Sequence, residues 1–135
     1  MNKIVRNVLA VITGIILGSV VNMGIIMLQG SFIALPEGVD VTNTESLQSS
    51  MHLFEPKHFI FPFLAHAIGT LVGAYLSARI AASHKMKFAL GIGIFFLIGG
   101  ILMLFLIPTP IWFAILDQYA YIPMGLLGGK LATKS

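Results

Sequence analysis

Four stretches of about twenty residues, nearly free of formal charge, govern what this chain can fold into. They run from about Val8 to Leu28, Phe59 to Ile80, Phe88 to Ile107 and Ile111 to Gly129. A helix rises ~1.5 Å per residue, so ~30 Å of hydrocarbon takes about 20 residues, and each stretch predicts one crossing. Composition agrees. Hydrophobic residues make up 57% and charged ones 10%, against roughly 25% charged in an ordinary soluble domain. These values exclude disorder and disfavour a water-soluble globule. The expected fold is an all-α integral membrane protein, a four-transmembrane-helix bundle forming one domain over residues 1–135.

Charge placement predicts the orientation. Lys3 and Arg6 precede the first span; Arg79, Lys85 and Lys87 surround the second connection; Lys130 and Lys134 follow the fourth span. With an even number of crossings these seven share one side. Lys57 lies opposite, in a long loop of about residues 29–58 with Glu37, Asp40, Glu45 and Glu55. The positive-inside rule then predicts a multi-pass protein of the plasma (inner) membrane with both termini cytoplasmic. Lys3 and Arg6 before an apolar run also resemble a signal peptide. The run exceeds the usual h-region of about 7–15 residues, and Val20-Val21-Asn22-Met23 is a poor cleavage site. A retained first helix is expected.

Small residues recur every fourth position in two spans. The first carries Ala10, Gly14, Gly18 and Asn22; the second carries Ala65, Gly69, Gly73, Ser77 and Ala81. Such stripes let helix backbones approach where lipid removes the hydrophobic drive for association. Gly14, Gly18, Gly69 and Gly73 are therefore expected to pack the first two spans together, with a homo-oligomer contact as the alternative. Pro108-Thr109-Pro110 reads as a tight turn, and Pro123 inside the fourth span predicts a kink.

In the long loop, Thr42 and Glu45 fit a capping box. Leu47, Met51 and Phe54 then recur at helical spacing until Pro56, which predicts a short amphipathic helix on the outer surface. His52, Glu55 and His58 fall short of a metal-site pattern. Neither a metal nor a cofactor is expected. His58 and Trp112 are placed at the outer interface.

The most informative residues are polar ones inside the spans. Asp117, His66 and Asn22 each lie six or seven residues from the outer end of their spans. That is roughly 9–10 Å of depth on three helices. An ionised aspartate facing lipid costs ~2.5–3.5 kcal/mol, so Asp117 should face the bundle or be neutral. This layer is either a network that holds helices together or a proton- or solute-handling unit.

Two functions follow. The first is a structural or accessory membrane subunit using the small-residue stripes to contact a membrane-protein partner. The second is a small oligomeric transporter or channel-like protein working through the Asp117/His66/Asn22 layer. An enzyme is not expected, because no nucleophile elbow, HExxH motif or phosphate loop is visible. Cysteine is absent, which removes thiol chemistry. The basic residues are dispersed and explained by topology, so no nucleic-acid partner is expected; the lipid bilayer is.

Overall fold

The computed structural model describes residues 2–134. It is all-helical, with no strand among those residues. Four long helices are present: α1 (Lys3–Phe32), α3 (Ile60–Ile80), α4 (Lys85–Leu106) and α5 (Ile111–Thr133). A short helix, α2 (Thr44–Ser50), and two 3-10 turns, Met51–Leu53 and Pro56–Phe59, occupy the long connection. Three helical stretches are long and apolar enough to cross a membrane: Lys3–Phe32, Pro56–Ile80 and Lys85–Leu106. α5 has the length, at 23 residues. Its Asp117, Gln118, Tyr119, Tyr121 and Pro123 make it less apolar than the others.

α1 is longer than its apolar run. The Asn2 side chain accepts from the Ile4 N–H at 2.7 Å and caps the helix. The helix then continues to Phe32 before Ile33 turns extended. Apolarity marks only the part that wants lipid; the hydrogen-bond ladder runs on through the polar flanks.

The packing is inverted relative to a soluble protein. The buried set is dominated by small residues, with Ala10, Ala65, Ala74, Ala78, Ala81 and Ala89 fully covered. Large apolar side chains point outward: Phe105 is 84% exposed, Ile111 78% and Phe32 71%. Monomeric soluble proteins rarely leave such wide apolar surface open to water. In lipid this arrangement carries no penalty, and small residues at the contacts are what association requires.

α3 is the central helix, packed against α1, α5 and α4. Its contact with α1 is backbone on backbone. A Cβ on Gly73 would lie 2.6 Å from the Gly14 carbonyl oxygen, and one on Gly14 would lie 2.8 Å from that of Gly73. Gly18 and Gly69 face each other in the same way at 2.9 Å. α5 approaches α3 at Gly128, where a Cβ would meet the Leu71 carbonyl oxygen at 2.7 Å. α4 and α5 meet at Gly93 and Gly125. α1 and α4 stay apart at the backbone and touch through the α4 side chains Ile92 and Phe96, which lie against Gly14 and Gly18.

Hydrogen bonds tie the two ends. At one end the C-terminal carbonyls of α3 face cations, the pairing a helix C-terminus favours. Lys85 Nζ donates to the carbonyls of Ala78 at 3.0 Å and Ala81 at 2.8 Å, and Arg6 Nε donates to that of Ile80 at 2.6 Å. Asn7 Oδ1 accepts from the Ala82 N–H at 2.8 Å. At the other end Met51, Phe59, Ile107 and Phe113 form a buried apolar cluster beneath the long connection.

The helix in that connection starts differently from the expected capping box. Asn43, not Thr42, is the N-cap: its Oδ1 accepts from the Ser46 N–H at 3.0 Å. The Thr42 hydroxyl is already committed, donating to Asp40 Oδ1 at 2.6 Å, and so does not cap. The helix also stops at Ser50, one turn before Phe54, and tightens into the 3-10 turn Met51–Leu53.

Candidate functional site

The polar layer is built by α3 and α5. His66 Nδ1 lies 2.7 and 2.8 Å from the two carboxylate oxygens of Asp117. When Asp117 is ionised its carboxylate only accepts, and Nδ1 then carries the proton and donates across both oxygens. Asp117 is 3% exposed. The His66 side chain is more open, at 27%. One turn further along α5, the buried Tyr121 ring stacks on His66 with centroids 5.8 Å apart and planes 26° apart. The stack covers one imidazole face and fixes the ring's orientation. Gln118 follows Asp117 and places Nε2 3.5 Å from Asp117 Oδ2. Gly100 on α4 makes room for it; a Cβ there would lie 2.7 Å from Gln118 Oε1.

His66, Asp117 and Gln118 line a cavity of about 560 Å³. Asn22 of α1 lines it too, without a hydrogen bond to either member of the pair among the described residues. The structure therefore brings Asp117 and His66 into contact and leaves Asn22 across the cavity. The cavity follows from the way the helices meet. α3 packs closely on α1, α4 and α5, whereas α1 and α4 meet only through Ile92 and Phe96 and leave a gap outward of those side chains. Ser19 and Met23 of α1 and Phe95, Gly99 and Met103 of α4 form its exposed rim. α2 and the 3-10 turns close the end, with Leu47, Met51 and Phe54 as the roof.

The other residues singled out by the sequence fall elsewhere. Gly14 and Gly73 form the helix contact below the cavity. Gly18 and Gly69 sit at its edge. Pro123 lies exposed inside α5, which runs without interruption from Ile111 to Thr133. His58 is not an interfacial side chain: it is 3% exposed. Its Nδ1 accepts from the Glu55 N–H at 2.8 Å, so Nε2 bears the proton and donates to the Ala34 carbonyl at 2.9 Å. Both ring nitrogens are occupied by backbone, which leaves none for a metal. Among the described residues no group of three or more His, Cys, Asp or Glu side chains converges on one point.

Two polar positions that line the cavity carry no sequence signal. Gln29 is fully buried near the end of α1, and its Nε2 donates to the His58 carbonyl at 2.7 Å. Gln118 is overshadowed by its neighbour Asp117. An uncharged amide inside or just beyond an apolar run changes hydropathy little, and its backbone partners leave no pattern in sequence. Comparison with family models, with curated proteins and with solved structures finds no match to this chain.

Proposed function

We propose that this is a four-crossing protein of the plasma membrane, with both termini cytoplasmic, that binds and moves a small solute at the His66–Asp117 pair. The orientation rests on the seven-to-one split of basic residues about the spans. α5 counts as the fourth crossing because its one acid turns inward, although Tyr119 is 77% exposed. Asp117 and Tyr121 are buried, while Ile111, Trp112, Ile115 and Leu116 on the outside are apolar and exposed.

One observation carries the functional reading. A carboxylate 3% exposed is held by both oxygens to an imidazole on the wall of a 560 Å³ cavity. Ionisable groups at membrane depth mark ion, proton or substrate paths by default. A pair that served only to join α3 and α5 would need no cavity beside it, and such contacts average only about 0.6 kcal/mol. The test is proton movement in liposomes loaded with a pH-sensitive dye, under an imposed pH gradient. The parent protein should collapse the gradient faster than protein-free vesicles, and Asp117→Asn should abolish the difference. Equal rates in parent and Asp117→Asn would overturn the reading.

The accessory-subunit reading has its own support. Cβ atoms added at Gly24, Gly91 and Gly99 would meet nothing within 4 Å. They leave single open glycines on α1 and α4, each a point where a partner helix or a second copy can approach closely. A stoichiometric membrane partner captured by crosslinking, together with no proton movement, would favour this second function.

A further inference from the structure

Two buried acceptor oxygens beside the cavity have no partner among the described residues: Gln29 Oε1 and Gln118 Oε1. Both residues line it. Their amide orientations are fixed by chemistry. Gln29 Nε2 faces the His58 carbonyl and Gln118 Nε2 faces the Asp117 carboxylate, and both partners only accept. The orphan atoms are therefore acceptors. Leaving a buried polar atom unpaired is unfavourable, which makes each a mark of something that donates.

The rest of the wall has the same sense. Asp117 is the sole acid among the described lining residues, and no lysine or arginine lies there. With Nδ1–H given to Asp117, a neutral His66 presents its other nitrogen as an acceptor. Phe95, Phe96, Phe54 and Phe113 supply aromatic faces that attract a cation. Acceptors at depth, aromatic walls and an apolar rim describe a host for a cationic donor with an apolar body. The volume lies within the roughly 300–1,000 Å³ of small-molecule sites.

We propose that the cavity binds a lipophilic primary or secondary amine in its protonated form. The ammonium sits between Asp117 and Gln118 Oε1, and the alkyl or aryl body extends along the gap between α1 and α4. Gln29 Oε1, seven residues beyond Asn22 on α1 and so about 10 Å nearer the outer end, is a separate acceptor for a second donor. This names the solute class for the function proposed above and rests on that reading for transport, though not for binding.

The experiment uses the full chain in lipid nanodiscs and three diazirine-bearing alkyl probes of equal length, ending in an amine, an alcohol or a carboxylate. Crosslinked residues are mapped by mass spectrometry. The amine should label cavity residues most strongly, and competition by unlabelled alkylamine should remove the signal. Gln118→Leu should lower amine labelling about tenfold, the loss of one charge-assisted hydrogen bond, and leave the alcohol unaffected. Gln118→Glu, which keeps the size and adds an anionic acceptor, should retain amine labelling or raise it. Thermal melting of each variant separates lost binding from lost fold. Equal labelling by all three probes, preference for the carboxylate, or labelling confined to the outer helix faces would each overturn the proposal. Amine labelling without proton movement would keep the site and remove the transport reading. Proton movement dependent on Asp117 without amine preference would do the reverse.

Discussion

At Gly73 the contact between α1 and α3 depends on a hydrogen atom where any other residue has a carbon. With the Gly14 carbonyl oxygen 2.6 Å from a Cβ placed there, Gly73→Ala forces two backbones apart. A loss of about 1–3 kcal/mol is expected, the range of overpacked interiors. Gly24→Ala, where nothing lies within 4 Å, should be neutral within about 0.5 kcal/mol. Thermal unfolding in detergent compares the two, and equal melting would remove Gly73 from a tight interface. His66 offers a second measurement. Asp117 selects the Nδ1–H form of its ring, so Asp117→Ala should release that form and redistribute the two imidazole ¹⁵N resonances. An unchanged ¹⁵N pattern would mean the pair does not exist. These residues are readable in sequence for simple reasons. A spacing of four puts glycines on one helix face, and residue count converts directly to depth, which puts His66 and Asp117 at one level. Gln29, Gln118 and the true place of His58 are not readable, because their partners are backbone atoms or immediate neighbours.

The elements themselves are legible to different degrees. Long apolar runs announce α1, α3 and α4, and the Pro108–Pro110 turn separates α4 from α5. The short α2 follows from the spacing of its apolar residues, but its cap lies one residue beyond the expected Thr42. Two adjacent polar residues compete for the cap, and Asp40 has already drawn off the Thr42 hydroxyl. Asn43→Ala should therefore cost α2 about 1 kcal/mol of local stability, while Thr42→Val leaves the Ser46 amide protected. Hydrogen exchange at Ser46 distinguishes them; equal protection would reassign the cap. The turn before α2 also responds to pH. The Thr42 hydroxyl, then its N–H, hydrogen-bond the Asp40 carboxylate and hold its pKa below the usual 3.8. A depressed folded value means the turn is favoured at pH above the ordinary aspartate range and loses that support as pH falls through the folded value. Protection of the Thr42 amide should follow that course. A turn whose protection rises on acidification would contradict it.

For the whole molecule, the inverted distribution of side-chain size is the plainest physical statement the chain makes, with alanine and glycine inside and phenylalanine and isoleucine outside. Sequence composition implies it. The divergence of α1 from α4 is not implied, because it depends on which pairs of small-residue faces win. The proposed four-crossing topology has a direct test, since the chain has no cysteine. Glu45→Cys should react with a membrane-impermeant thiol reagent in intact cells and Ser83→Cys should not; the reverse would invert the orientation. The gap between α1 and α4 has a further consequence for any solute that enters through it. Its reservoir is the bilayer rather than the surrounding water, so the relevant concentration is a mole fraction in lipid. Each added methylene, worth ~0.8 kcal/mol on partitioning, would tighten apparent affinity measured against total aqueous ligand. Measured against the amount in the membrane, the same series would stay nearly flat. Selectivity among such solutes would then reside in the polar head alone, and the membrane itself would act as the first filter.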